Sequence, residues 1–249
     1  MKFDAGKEAF AVLHRRDGFG EDFKLLGTWF DTKLAMHTAV QKLVAVCGPK
    51  LTALLRTRGF YSTAELVAQF KAHLLGVVES RTAGLYHAAT TVLAPLDNLY
   101  SRFLREVGLS AEQAFLQHNL APLCLRRDVA MLGLLHKCAL GFAHPSLCEV
   151  FRLQVEPPRR YETRRTARPH GRKLLDRTQG PHSELLRRSA LGLARVYNDL
   201  PAAVVTLSTV KGFQRALTAL AREHCAAGAW NWRYCFSPRP HVDAEQVVG

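Results

Sequence analysis

The sequence has no pair of adjacent aspartates, no C-x-x-C cysteine pair and no long hydrophobic run. The cysteine spacing excludes a zinc ribbon and a small disulfide scaffold, since both need cysteines in short, paired intervals. We therefore expect free thiols in a reducing compartment. The six cysteines are Cys47, Cys124, Cys138, Cys148, Cys225 and Cys235.

Membrane-crossing segments and a secretory signal are missing as well. The longest uncharged stretch, residues 82–96, is shorter than the roughly 20 residues that a spanning helix needs. Residues 1–8 (MKFDAGKE) have no apolar core of the kind that a signal peptide requires. The sequence therefore predicts a protein of the nucleus or cytoplasm with no membrane partner.

Acidic residues are scarce beside basic ones: 34 Lys and Arg face 21 Asp and Glu, which gives a net charge of +13. This excess predicts attraction to a polyanion, with nucleic acid ahead of an anionic membrane surface. The generic basicity of a soluble protein is the alternative. An apolar fraction of 48% over 249 residues can fill one large or two small cores, which excludes disorder throughout.

Two segments near the amino end have the composition of strands. Residues 9–15 and 22–30 are apolar and aromatic, and Gly18 and Gly20 between them supply a turn, so we predict a β-hairpin. In the second strand, Gly27 marks a point where the backbone must bend or be closely approached.

After the second predicted strand, the spacing of the apolar residues changes to the spacing that is typical of helices. Apolar residues at i, i+3, i+4 and i+7 predict an amphipathic helix at residues 33–57. Ser62 and Glu65 form a capping box at the start of the next helix. Pro95 is expected to open a further helix that ends at Gly108. Similar signals farther along complete a bundle of about six helices.

The composition changes again at residue 152. Between Glu156 and Arg177, eight Lys and Arg outnumber three acids, and prolines discourage regular structure. We predict a basic linker here, ordered only against a partner. The predicted fold is mainly α with a short amino-terminal β-hairpin. Its parts are the hairpin segment at 1–31, a helical bundle at 32–151, the linker at 152–182, a carboxy-terminal helical region at 183–236 and a tail at 237–249.

Four short motifs, taken in order, resemble parts of the reverse transcriptases of non-LTR (LINE-type) retrotransposons. Their order and spacing make the resemblance more specific than any one motif, and it extends from about residue 3 to 236. The motifs are the lysine-bearing stretch 2–8, the F-x-x-L-G strand 23–27, the helical run 51–60 in the position of the thumb, and Y-N-x-L-P at 197–201 followed by Phe213.

In that family the metal-binding Y-x-D-D hairpin lies upstream of the F-x-x-L-G strand. Only 22 residues precede Phe23, and no Asp-Asp pair occurs. The resemblance therefore implies the carboxy-terminal part of such a polymerase, with a palm remnant at 1–31 and a thumb at 32–151. It implies that this chain alone is not an enzyme and holds no cofactor, since Mg²⁺ belongs to the carboxylates of the intact polymerase.

The resemblance also implies roles for individual residues. Lys7 matches a loop lysine that assists proton transfer to the departing pyrophosphate, although without a palm it is a solvated surface lysine. Phe23, Leu25, Leu26 and Gly27 match the strand that holds the primer end, and a packed hairpin is the alternative. No catalytic residue is assigned.

The basic linker is the strongest functional feature that does not depend on the resemblance. Arginines spaced along an extended segment suit the neutralisation of phosphates and the release of counterions. A solvated linker without a ligand is the alternative. The candidate nucleic-acid-binding residues are Arg159, Arg160, Arg164, Arg165, Arg168, Arg172 and Lys173.

Two further patterns suggest catalytic or metal-binding chemistry, but their details argue against it. Residues 197–199 (YND) resemble the start of Y-x-D-D, but Leu200 replaces the second aspartate and Pro201 follows, which indicates the end of a helix. The cysteine- and histidine-bearing stretches 124–148 and 224–241 lack the paired short spacings that wrap a tetrahedral zinc. The sequence therefore predicts no metal site.

Two other functional classes are compatible with the sequence. A helical protein–protein interaction module would take partner helices in apolar grooves. A decayed element whose reading frame is still open would have no function. Salt separates the first class from nucleic-acid binding, because only the binding of a polyanion weakens steeply with ionic strength.

Overall fold

The computed structural model describes residues 22–25, 27–154, 170–178 and 184–239. The chain forms two compact units, Met1–Ser110 and Ala111–Gly249. It is mainly helical with one two-stranded antiparallel sheet among the described residues, which confirms the predicted fold class. Residues 32–151, predicted as one bundle, are shared between the two units. The strand predicted at 9–15 lies outside the described residues.

The hairpin of the first unit lies within the stretch predicted as a single strand. β1 (Phe23–Leu25) pairs antiparallel with β2 (Thr28–Phe30), and the Phe23 and Phe30 rings stack with their centroids 5.6 Å apart. Gly27 in the turn has φ +81°, which residues with a side chain rarely adopt. The prediction of one continuous strand is therefore wrong, because the chain reverses at this glycine.

The first long helix begins later than its apolar period predicts. α1 spans His37–Arg56. The turn before it is held by the Asp31 carboxylate, which accepts hydrogen bonds from the backbone N–H groups of Lys33, Ala35 and Met36. Met36 has φ +69°, so the chain cannot be helical up to this point.

The predicted capping signals are confirmed on the next helices. The Ser62 N–H donates to Glu65 Oε2 at 2.8 Å, and the Glu65 N–H donates to Ser62 Oγ at 3.4 Å, at the start of α2 (Thr63–Phe70). Gly108, with φ +71°, ends α5 (Thr90–Val107). Between these helices lie a π-helical turn at Lys71–Leu75, α3 (Gly76–Glu79) and α4 (Thr82–Leu85).

Pro95 lies inside α5 and does not open it, contrary to the prediction. The carbonyl of Ala89 accepts from the N–H groups of Val92 and Leu93 at 3.0 and 3.1 Å and closes the first turn before the proline. α5 packs against α1. Phe70 and Phe103 stack in this core with their centroids 4.3 Å apart, and both side chains are buried.

The second unit is built around three longer helices. The Phe115 and Trp232 rings stack in its core with their centroids 5.3 Å apart and their planes within 7°. Trp232 is buried in a short 3-10 helix, Trp232–Tyr234. The helices of this unit are α6 (Ala111–His118), α7 (Leu123–Ala139), α8 (Pro145–Val150), α9 (Glu184–Arg188), α10 (Leu193–Asn198), α11 (Ala202–Val205) and α12 (Val210–Ala226).

The α-helices of the described ranges have between four and 20 residues. None of them combines the length and the apolar character that crossing a bilayer requires. α1, with 20 residues, contains Lys42, Lys50 and Arg56.

Candidate nucleic-acid interface

A cleft of about 180 Å³ opens beside the hairpin in the first unit. Its walls come from the hairpin, from α1 and from the segment around α3 and α4. Basic, aromatic and apolar side chains share the lining, and the described lining residues include no carboxylate. We call this site the hairpin cleft; it is lined by Lys24, Gly27, Thr28, Trp29, Ala39, Lys42, Leu43, Val46, Val77, Arg81 and Leu85.

Strand pairing and helix position bring two lysines to the same aromatic ring. Lys24 on β1 is directly opposite Trp29 on β2. The Lys42 ammonium, on α1, lies 3.0 Å from the centroid of the Trp29 ring. The ring face attracts the cation through its quadrupole, and this contact holds the flexible lysine side chain at the cleft. Both lysines are exposed to solvent.

Gly27 makes room for a third cation. A Cβ added at this position would collide with the guanidinium of Arg81. Any side chain here would also have to adopt φ +81°. The prediction that the backbone must bend or be closely approached at this glycine is confirmed on both counts.

The strand residues that the resemblance singles out lie in different surroundings. Phe23 is half-buried and stacks on Phe30, while the Leu25 side chain is 55% exposed. Of the described residues in this set, Phe23, Leu25 and Gly27, only Gly27 lines the cleft. Leu26 lies outside the described residues. A packed hairpin accounts for Phe23, whereas Leu25 is free to meet a ligand.

Sequence reasoning missed the cations and the ring of the cleft. Lys24 and Trp29 belong to the stretch already singled out, but the pairing of β1 with β2, and not one strand, makes them partners. Lys42 and Arg81 come from separate helical segments, so no local pattern connects them. Three cations that converge on one cleft suit an anion such as a phosphate, and the Trp29 side chain and the apolar wall suit an attached planar group.

The described part of the predicted basic linker is packed into the second unit. Leu174 is buried and forms an isolated β-bridge with Leu153. The Asn198 side chain accepts from the Leu174 N–H at 2.8 Å and donates to the Leu174 carbonyl at 2.9 Å. Residues 170–178 therefore do not behave as a free spacer, because side chains satisfy their backbone groups.

The two described basic residues of the candidate set are only partly exposed. Arg172 donates from Nη1 to the Val205 carbonyl at 2.9 Å, and its N–H donates to His170 Nδ1 at 3.1 Å. Lys173 is half-buried on the same segment. Arg172 thus has a role within the fold that the sequence did not suggest. Lys7, Arg159, Arg160, Arg164, Arg165 and Arg168 lie outside the described residues.

Tyr197 and Leu200 of the Y-N-x-L-P motif are buried in the core of the second unit. His136 shares a hydrogen bond of 3.0 Å with the Tyr197 hydroxyl through Nδ1 and one of 2.9 Å with the Leu207 carbonyl through Nε2. Its ring stacks on Phe213 with the centroids 4.1 Å apart. His170 Nε2 lies 3.0 Å from the Tyr197 carbonyl oxygen, as a donor would. We call His136, His170, Tyr197 and Phe213 the Tyr197 cluster.

Burial controls the protonation of the Tyr197 cluster. It lowers the pKa of His136, which favours the neutral ring that its acceptor and donor partners need. Burial also raises the pKa of the Tyr197 hydroxyl well above its usual value. No carboxylate belongs to the cluster, and its polar groups have partners, so it is suited to holding the motif in place and not to two-metal chemistry.

An ion pair holds the carboxy-terminal end of residues 170–178. Arg195 Nε lies 2.7 Å from Asp176 Oδ2, and Asp176 also accepts from the Thr178 N–H and hydroxyl. Burial acts to raise the pKa of Asp176, but the hydrogen bonds from Thr178 and Arg195 outweigh it and the pKa is lowered. This carboxylate therefore supports the fold at neutral pH.

Histidine and cysteine side chains in the described ranges are not arranged in any group of three or more that would hold a metal ion. All six cysteines are free thiols. Burial raises the pKa of Cys138 to about 11 and that of Cys235 to about 12, so both are protonated at neutral pH and poor nucleophiles. His144 accepts from the Ser146 N–H at the start of α8.

Comparisons with models of protein families, with curated proteins and with solved structures find no match to this chain. The resemblance to a retrotransposon reverse transcriptase therefore remains a prediction from the four motifs.

Proposed function

We propose that this chain binds the backbone of nucleic acid without selecting a sequence, as the carboxy-terminal part of a non-LTR retrotransposon reverse transcriptase separated from its catalytic carboxylates. The observation that carries the proposal is the hairpin cleft, where Lys24, Lys42 and Arg81 converge beside the motif that resembles the primer-holding strand. The net charge of +13 supports it, because a phosphate polymer gains from each cation that displaces a counterion.

The proposal includes no catalysis by this chain. The chain would act in the nucleus or cytoplasm, and Mg²⁺ would be bound only by the intact polymerase. Purified protein is expected to show no primer extension with Mg²⁺ or Mn²⁺, because two-metal transfer needs several carboxylates at one place. Incorporation that survives fresh purification and exceeds a heat-killed control would contradict the proposal.

Binding to duplexes of unrelated sequence provides the positive test. We expect similar affinities for each duplex and a steep loss with salt, with log K falling by about 0.9 per neutralised phosphate for each unit of log salt. Replacement of Arg159, Arg160, Arg164 and Arg165 by Ala should flatten the slope by up to about three units. A slope that does not change would show that these arginines contact no phosphate.

The genomic DNA before the Met1 codon offers a test without protein. If residues 1–31 are the end of a palm, the upstream bases should encode, intact or interrupted by stops, a hydrophobic strand with Y-x-D-D and an earlier aspartate-bearing strand. An unrelated promoter without such strands would contradict the polymerase origin and remove the role implied for Lys7. Stops in these strands would favour a decayed element.

The second candidate is a protein–protein interaction module. It is favoured by a short helix, α8, in which no residue is fully buried, and by exposed apolar side chains on and beside it: Phe142, Leu147 and Val150. A partner helix bound there would be held by apolar contact and would resist salt. Binding of a protein partner that persists in high salt, without any affinity for nucleic acid, would favour this function over the first.

A further inference from the structure

The turn between α1 and α2 displays the most exposed aromatic side chain among the described residues. Phe60 is 86% exposed and the next residue, Tyr61, is 46% exposed. A single exposed apolar residue needs no explanation in itself. These two rings are distinguished by the arginine side chains beside them.

The turn has a defined conformation. It is a short 3-10 helix, Arg58–Phe60, in which the Phe60 N–H donates to the Thr57 carbonyl at 3.0 Å. The Thr57 hydroxyl donates to the Leu54 carbonyl at 2.8 Å, and the Ser62 capping box begins the next helix immediately afterwards. A ligand that meets Phe60 would therefore meet a ring already presented, which lowers the entropy lost on binding.

Arginines flank the displayed rings. Arg56 and Arg58 are exposed on the same turn. Arg102 on α5 reaches Thr52 on α1 at 3.5 Å, and so adds a third cation to the face that leads to the turn. Arg58 Nη1 donates to the Leu55 carbonyl at 3.2 Å and lies 3.7 Å from a Glu106 oxygen, so Arg58 is held within the chain. Arg56 and Arg102 keep the face basic.

We propose that Phe60 stacks on an unpaired base of single-stranded nucleic acid while Arg56 contacts the adjoining phosphate. This inference rests on the proposed function and adds a second kind of ligand to it. Duplex bases are stacked on one another and cannot offer a free face to Phe60, whereas every unpaired base has one. The cations are arginines, whose planar heads suit both phosphates and base faces.

An anionic membrane is the competing partner for an aromatic turn with basic neighbours. The turn offers one fully displayed apolar ring and one tyrosine, and no further apolar residue of the turn is exposed beside them. Membrane binding gains with buried apolar area, which is small here, while stacking needs only one ring face. The observations therefore favour nucleic acid.

The test uses the full chain and a labelled oligo-dT strand, with affinity measured by fluorescence anisotropy at fixed salt. Phe60→Ala should weaken binding by roughly 5- to 150-fold, the range for loss of one stacked base. Phe60→Tyr should keep the affinity, since it keeps the ring. Phe142→Ala is the matched control, because Phe142 is also highly exposed, at 66%, but lies in the other unit.

Each outcome decides between the possibilities. Equal oligo-dT affinity for wild type and Phe60→Ala, with unchanged melting, would overturn the stacking proposal and leave duplex binding by the hairpin cleft standing. Loss of oligo-dT binding in both Phe60→Ala and Phe142→Ala would overturn it too. A Phe60-dependent affinity for vesicles with anionic lipid, without one for oligo-dT, would assign the turn to a membrane. Wild-type protein that binds neither strand nor duplex would overturn the proposed function itself.

Discussion

The two units use their motifs in opposite ways. In the first unit, Lys24 and Gly27 of the F-x-x-L-G stretch line an open cleft in which Lys42 covers Trp29, and solvent reaches Lys24 and Lys42. In the second unit, Tyr197 is completely buried, and its hydroxyl and its carbonyl both have histidine partners. Two motifs that support the same resemblance thus differ in kind: the first remains accessible to a ligand, and the second holds the fold together.

The contrast separates a binding site from a structural one by the partners that its polar groups already have. A polar group that has a partner inside the chain has little left to offer a ligand, whereas a cation held against a ring face can still gain a phosphate. By that criterion Lys42 is a better candidate than Arg172, whose guanidinium already donates to the Val205 carbonyl.

The largest loss of stability should come from truncating one ring of the Tyr197 cluster. Phe213→Ala removes a fully buried ring that stacks on His136, so we expect about 3–5 kcal/mol of lost stability. Urea denaturation would measure it. Phe60→Ala, which truncates an exposed ring, should change the free energy of unfolding by less than about 0.5 kcal/mol. Similar losses in both variants would contradict the difference between the two units.

A smaller loss of stability is expected when residues 170–178 lose their hydrogen bonds to Asn198. Asn198→Ala removes both hydrogen bonds to the Leu174 backbone and should cost about 1–3 kcal/mol, since a buried N–H and carbonyl lose their partners. Hydrogen exchange at the Leu174 amide should accelerate. Asn231→Ala, at a position with no side-chain cap bond, is the control. An unchanged exchange rate would show that residues 170–178 are held by other contacts.

The stability of the second unit should also depend on pH through His136. Its folded-state pKa lies below the usual value of about 6.5, so the unfolded chain takes up a proton more readily and stability falls as the pH drops through that value. In His136→Gln, the melting temperature should depend less on pH between pH 7.5 and 5 than it does in the wild type. Parallel curves for the two proteins would contradict this. Asp176, whose pKa is lowered, loses its contribution only in more acidic solution.

Local signals in the sequence predicted the local features well. The Ser62 capping box, the Gly108 stop and the bend at Gly27 follow from the conformations that single residues allow. The division of residues 22–30 into two strands could not be predicted, because apolar composition does not show where the chain reverses. The prediction that Pro95 opens a helix is wrong because hydrogen bonds to the Ala89 carbonyl start α5 before the proline.

The candidate site was less accessible to sequence reasoning, because its parts are far apart in the chain. Lys42 meets Trp29, and Arg81 approaches Gly27, only after helices and hairpin have packed. His136 and Tyr197 are 61 residues apart, and neither histidine of the cluster belongs to a recognisable spacing. Tertiary packing, which no local period reports, determines these contacts.

The salt dependence of duplex binding by two double variants tests the central claim most directly. Lys24→Ala/Lys42→Ala removes two cations of the hairpin cleft, and Lys137→Ala/Lys211→Ala removes two exposed lysines of the second unit. We expect the slope of log K against log salt to become shallower by up to about 1.8 in the cleft variant and to change little in the other. Equal changes in both variants would contradict the account, because the chain would then bind through its overall charge and not through the cleft.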